Sequence, residues 1–165
     1  SYDPNYAPFS YNQDEKPEGL FIDIWKLWAK HNNYNIEFVD GVLWNDALNL
    51  VKNKEVDFFL GSRKYEPWMV ESNPFYEIKS SFFTLTENNI SIEAKERLTI
   101  GIIGNDYEKI LSEKFPNANI KIYEDYIYSI EALKNKDIDF IYEDQIPINF
   151  YTVEPLADSR KQPII

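Results

Sequence analysis

Residues 46–61 read DALNLVKNKEVDFFLG and residues 128–143 read YSIEALKNKDIDFIYE. Aligned without a gap, Lys52-Asn53-Lys54 falls on Lys134-Asn135-Lys136, and Val56-Asp57-Phe58 falls on Ile138-Asp139-Phe140. Each copy reads as an amphipathic helix, a short polar turn and a buried strand. A unit that recurs after about half the chain predicts two similar lobes, and two lobes imply a cleft between them.

Working outward from the first copy, Leu20 to His31 reads as a helix, with Phe21, Ile24, Trp25 and Trp28 on one face and Asn32-Asn33 ending it. Before it, Asp3 to Asn12 reads as an irregular aromatic loop and Asp14 to Gly19 as a polar turn. Tyr34 to Val39 alternates as a strand. Asn45 is placed to cap the helix that runs to about Lys52. Val56 to Leu60 is a continuous apolar run, as in a strand buried on both faces. Ile78 to Thr86 is rich in β-formers. Around the second copy, Leu98 to Ile103 reads as a strand closed by Gly104, and Asn105 or Asp106 caps a helix to about Lys114 with Tyr107, Ile110 and Leu111 facing inward. Asn119 to Tyr123 is a strand, Ser129 to Asn135 a helix and Ile138 to Tyr142 a strand. The order strand, helix, strand, helix, strand, met twice, predicts an α/β fold with mostly parallel sheets.

The chain has 165 residues, 44% of them hydrophobic and 16% aromatic, enough for a packed core. Its net charge of −11 argues against nucleic acid or an anionic membrane as partner. There is no cysteine, which excludes disulfides, thiolate metal sites and thiol catalysis. No run of about 18 apolar residues and no signal peptide is read, and the chain is expected to be part of a longer protein.

Taken in series, YAPFSY, GLFIDIWKLWAK, IEFV, LWNDALNLVKNKEVDFFLG and SNPFY resemble the first lobe of the bacterial periplasmic solute-binding proteins of the amino-acid-binding type, family 3. LTIGIIGNDYEKILSEKFPNANIKIYEDYIYSIEALKNKDIDFIYED resembles their second lobe. The closing QIPINFY is more similar to the versions fused to membrane signalling proteins, such as sensor kinases and diguanylate cyclases. The resemblance implies a Venus-flytrap fold, two α/β lobes that close on a small ligand, usually an amino acid. It places residues 1–83 plus 146–165 in lobe 1 and residues 87–143 in lobe 2, with hinge crossings near 80–86 and 143–149. It implies a periplasmic location; no Gly-rich phosphate loop or metal-ligand spacing is read, so no cofactor or metal is expected. The implied partners are a small-molecule ligand and a linked membrane signalling module or, alternatively, a transporter permease, with oligomerisation open.

The resemblance also selects candidate ligand contacts. Tyr6, Phe9 and Trp44 match aromatics that sandwich the ligand, and each has loop or core packing as its alternative. Gly61-Ser62 matches a stretch that offers backbone and hydroxyl groups, or is a plain turn. Relatives then carry an arginine that forks onto the ligand carboxylate. Trp68 falls near that place, and Arg63 is the nearby arginine, either a substitute or a surface charge. Asn105 and Asp106 stand where relatives have small hydroxyl residues at a helix N-terminus. Asp144 matches the acid that takes the ligand ammonium, with an exposed loop acid as the alternative. With the ammonium-seeking acid kept and the anion-seeking groups altered, the expected ligand is an amine or modified amino acid, the rival an ordinary amino acid held by Arg63. The only histidine, His31, lies at a helix C-terminus, and no nucleophile–base pair is read, so no catalytic residue is assigned. A periplasmic dehydratase-like enzyme of the same fold is the remaining alternative.

Overall fold

The computed structural model describes residues 1–62, 67–88, 92 and 97–153. Contacts divide the chain into two compact units, Ser1–Tyr76 and Glu77–Ile165.

The first unit opens with an antiparallel meander of β1 (Asn5–Tyr6), β2 (Ser10–Gln13) and β3 (Lys16–Glu18). The sequence reading had only loop and turn here. The β2–β3 connection is two residues, Asp14 and Glu15, both at positive φ, 49° and 61°. Such a turn matches strand twist and is usually announced by Asn-Gly or Asp-Gly, so Asp-Glu hid it.

Helix α1 (Leu20–Asn32) ends as expected at Asn33, which adopts the left-handed conformation at φ 58°. Its buried face is Phe21, Ile22 and Ala29, not the expected stripe. Ile24 and Trp25 are half-buried and Trp28 is exposed. Trp28 stacks on Tyr34 at 5.5 Å, and Trp25 packs on Phe58 at 5.3 Å, so the tryptophans find aromatic partners near the surface. Helix α2 (Trp44–Lys52) starts after Leu43, with no side-chain cap from Asn45.

Residues 34–39 and 56–60 are not regular strands. Among the described residues, their bridging hydrogen bonds reach only Ser1 and Tyr2: Tyr2 N–H donates to Val39 O and Leu60 N–H to Ser1 O, and Gly41 N–H, just past the first stretch, donates to Tyr2 O. Two residues of shared neighbour support bridges but no extended ladder. Phe58 is 54% exposed, so the apolar run is not buried on both faces.

The second unit holds a four-stranded sheet in the order β4 (Ser80–Phe83), β7 (Phe140–Asp144), β5 (Thr99–Ile103), β6 (Asn119–Tyr123). Strands β7, β5 and β6 are parallel, and β4 is an antiparallel edge. The helices are α3 (Glu108–Lys114), α4 (Tyr126–Lys134) and α5 (Gln145–Val153). The core is Leu98, Ile100, Ile102, Leu111 and Phe140, with Phe82, Phe115 and Tyr142 packed against it. Fully burying each such side chain contributes about 1.5–3 kcal/mol.

Several expected boundaries move. Helix α3 begins at Glu108 after Tyr107, with neither Asn105 nor Asp106 as its N-cap, and Ile110 is exposed. Helix α4 begins three residues early because the Asp125 carboxylate accepts from Tyr128 N–H at 2.9 Å. Helix α5 stands where the sequence predicts only a crossing segment. Its Pro147 sits in the first turn, where a missing N–H costs nothing. The contacts also group Ser80–Phe83 and Gln145–Val153 with the second unit, because β4 pairs along β7 and Tyr151 stacks on Tyr126 at 5.1 Å. Residues 154–165 lie outside the described residues.

Candidate functional site

The parallel register of β6, β5 and β7 brings the carboxyl ends of all three strands to one edge of the sheet. Ligands of open α/β sheets bind outside that edge. Gly104 turns the chain there at φ 63°, with open space where a Cβ would stand, so its conformation alone accounts for glycine.

Asp144 is the last residue of β7 and is fully buried, which rules out the exposed-loop alternative. A carboxylate taken from water must be hydrogen-bonded. Its Oδ1 accepts from Ser80 Oγ at 3.0 Å and from Tyr107 OH at 3.1 Å, and those two hydroxyl oxygens lie 2.5 Å apart. Ser80 is placed by the β4–β7 register, which sets it opposite Asp144. Tyr107 reaches in from the turn before α3, its ring edge-on to Tyr142 at 4.9 Å.

Glu143 is also buried. The β5–β7 pairing ends at Gly101↔Ile141, and beyond it the Glu143 carboxylate takes over. Its Oε1 accepts from Ile103 N–H at 3.2 Å, and its Oε2 from Asp144 N–H at 3.1 Å. A side chain thus replaces the ladder where the strands separate. Sequence reasoning missed Ser80, Tyr107 and Glu143. The available signal was a Glu-Asp pair ending an apolar strand, since two acids there require donors from elsewhere.

In the first unit, Tyr6 and Phe9 are buried. Phe9 stacks on Phe21 at 4.8 Å and lies 5.0 Å from Tyr6, so both have a packing role. Gly61 likewise has a packing reason: φ is 79°, and a Cβ would meet the Phe21 ring at 2.3 Å. Trp44 stands differently. Its ring is edge-on to Phe59 at 4.7 Å, and its indole Nε1 is buried with no hydrogen-bond partner among the described residues. A buried indole N–H normally has one, so the Trp44 donor stands out among the buried polar groups. Ser62 and Asn105 are exposed, Asp106 is partly buried and Trp68 is 38% exposed. Arg63 lies outside the described residues.

The sequence reading also passed over Asp3. Burial pushes its carboxyl up to about 6, opposed by the Asn5 N–H that donates to it at 2.8 Å and reinforced by the Asp40 charge. Among the described residues, no group of three or more His, Asp or Glu side chains could hold a metal ion.

The model of the bacterial extracellular solute-binding proteins, family 3, matches residues 1–144. A probable histidine-binding protein of Campylobacter jejuni subsp. jejuni serotype O:2 is 28% identical over 149 residues, 86% of this chain and 57% of that protein. The chain therefore spans little more than half the length of this curated relative. Among solved structures, the ancestral amino acid-binding protein AncCDT-1, a precursor of cyclohexadienyl dehydratase, has a TM-score of 0.79 at 20% identity, over 91% of this chain and 71% of that one. The periplasmic VFT2 domain of Bordetella pertussis BvgS also has a TM-score of 0.79, at 16% identity, over 94% of this chain and 70% of that one. The fold is the α/β Venus-flytrap fold that the sequence reading expected.

Proposed function

The chain belongs to the bacterial extracellular solute-binding proteins, family 3, and we propose that it is an extracytoplasmic domain that closes on an amino acid or an amine-like ligand. The observation that carries this reading is Asp144, a buried carboxylate at the ligand-binding end of a parallel sheet, where a ligand ammonium would be received. Trp44 Nε1 supports it from the first unit, as a buried donor suited to a ligand acceptor.

In this reading the two units act as lobes, and the paired strands β4 and β7 carry the hinge crossings near 80–86 and 143–149. Closure about such crossings is the usual motion of the architecture. Tyr6, Phe9, Gly61, Ser62, Arg63, Trp68, Asn105 and Asp106 remain proposed contacts, with Tyr6, Phe9 and Gly61 the weakest because packing already explains them. The domain binds rather than transforms its ligand. The finer proposal is an input domain of a membrane signalling protein, supported by the likeness to the BvgS periplasmic domain. A free transport receptor is the rival.

The Campylobacter relative's name makes L-histidine a first probe, with histamine lacking the carboxylate and imidazole-4-propionate lacking the ammonium. A thermal-shift screen would add these to common amino acids and polyamines. A ligand at 100 times its dissociation constant stabilises by about 2.7 kcal/mol. The expected result is a shift from one amino acid or amine that Asp144→Asn removes. A screen with no shift from any amine or amino acid would sink the proposal.

A further inference from the structure

Asp144 already has its donors. Ser80 Oγ and Tyr107 OH both lie on Oδ1, and the residue shows no surface to solvent. An incoming ammonium would have to reach a carboxylate that the chain's own hydroxyls cover. The three oxygens form a triangle with sides of 3.0, 3.1 and 2.5 Å. Two hydroxyls bring one proton each, so two protons serve three contacts. The arrangement satisfies Asp144 and leaves one of its own contacts without a hydrogen.

The two hydroxyls are not equally movable. Ser80 is held by strand pairing along β4–β7. Tyr107 stands ahead of α3, in a turn, and its side chain makes no capping bond to that helix. Its ring rests edge-on against Tyr142 and would keep that contact without the hydroxyl. We propose that the Tyr107 hydroxyl occupies the ammonium place on Asp144 and must leave for a cationic head group to bind. Tyr107 is then a specificity-determining residue. Apparent affinity for amines is lowered by the small fraction of molecules in which the hydroxyl has swung away. A ligand without an ammonium does not contend with it. This inference rests on the reading that Asp144 receives the ligand ammonium.

Tyr107→Phe tests it with the same three probes. L-histidine and histamine should bind Y107F about tenfold more tightly than wild type, with imidazole-4-propionate unchanged. Equal or weaker amine binding by Y107F, with clear binding by wild type, would overturn the placeholder and leave the binding function standing. No response of either protein to any probe would overturn both. The wild-type protein supplies a second measurement that needs no variant. With [13Cζ]-tyrosine labelling, the Tyr107 resonance should move on saturation with L-histidine or histamine. A resonance that stays in place at saturation would refute the displacement.

Discussion

The two copies of the repeated phrase agree down to individual hydrogen bonds and then part. Helices α2 (Trp44–Lys52) and α4 (Tyr126–Lys134) have equal length and the same offset along the chain. In the first, Lys54 N–H donates to Val51 O and Glu55 N–H to Leu50 O. In the second, Lys136 N–H donates to Leu133 O and Asp137 N–H to Ala132 O. Both are Schellman endings, with the left-handed position held by Lys54 at φ 62° and Lys136 at φ 61°. After that point the second copy enters β7, between β5 and β4, while residues 56–60 of the first form no strand. Asp139 shows why. Its carboxylate accepts from Thr99 N–H at 2.8 Å and its own N–H donates to Thr99 O, tying the segment to β5. Asp57, its counterpart, is exposed. A helix and its cap are settled by neighbours in sequence, whereas a strand needs a neighbour in space.

The sharpest way to break this comparison is to truncate the matched phenylalanines. Phe140 is 4% exposed in the core and Phe58 is 54% exposed. Phe140→Ala should cost about 3–5 kcal/mol and Phe58→Ala about 1 kcal/mol or less, read from urea midpoints. Equal losses would mean that the first copy is as deeply packed as the second.

A second prediction contrasts the acids. Asp139 and Glu143 anchor the second unit through backbone donors, whereas Asp3 in the first unit is an acid that burial disfavours in its charged form. Its carboxyl titrates near 6 in the folded chain against 3.8 ordinarily. The folded state therefore holds a proton that the unfolded state releases. This group's contribution is most favourable below about pH 4 and is lost as pH rises to about 6. The shift corresponds to about 3 kcal/mol at most, at 1.36 kcal/mol per unit. Asp3→Asn should raise stability at pH 7 and leave it nearly unchanged below pH 4. A stability difference independent of pH would refute the assignment.

The smallest effect concerns the shared ending. Lys54→Gly and Lys136→Gly should each stabilise by a few tenths of a kcal/mol, since relief of left-handed strain is partly offset by unfolded-chain entropy. The two gains should match in thermal melts if the endings are equivalent.

Much of the second unit was legible because local apolar patterning and turn residues mark its elements: β6 falls on its expected residues, and β5 and α3 lie within theirs. The errors have two causes, one tertiary and one local. Periodicity puts Trp25 and Trp28 on one face with Phe21, but they pack on Phe58 and Tyr34, residues that helical spacing cannot see. The meander was hidden because Asp14-Glu15 is an unusual pair for its turn. Of the candidate site, Asp144 is singled out by the resemblance to the family's ammonium-binding acid, while Ser80 and Tyr107 are not. Ser80 reaches it only through strand register and Tyr107 only through a loop.

The sequence by itself determined the two-fold repeat, helices α1 to α4 with their C-terminal ends, the α/β class and the family. These rest on periodicity, turn chemistry and the order of elements, all written within short stretches. Tertiary structure alone decided which apolar runs become strands, which aromatics are core, and that Asp144 is a buried acid covered by two hydroxyls. Those outcomes depend on hydrogen-bond partners and burial between distant residues, which spacing along the chain does not encode.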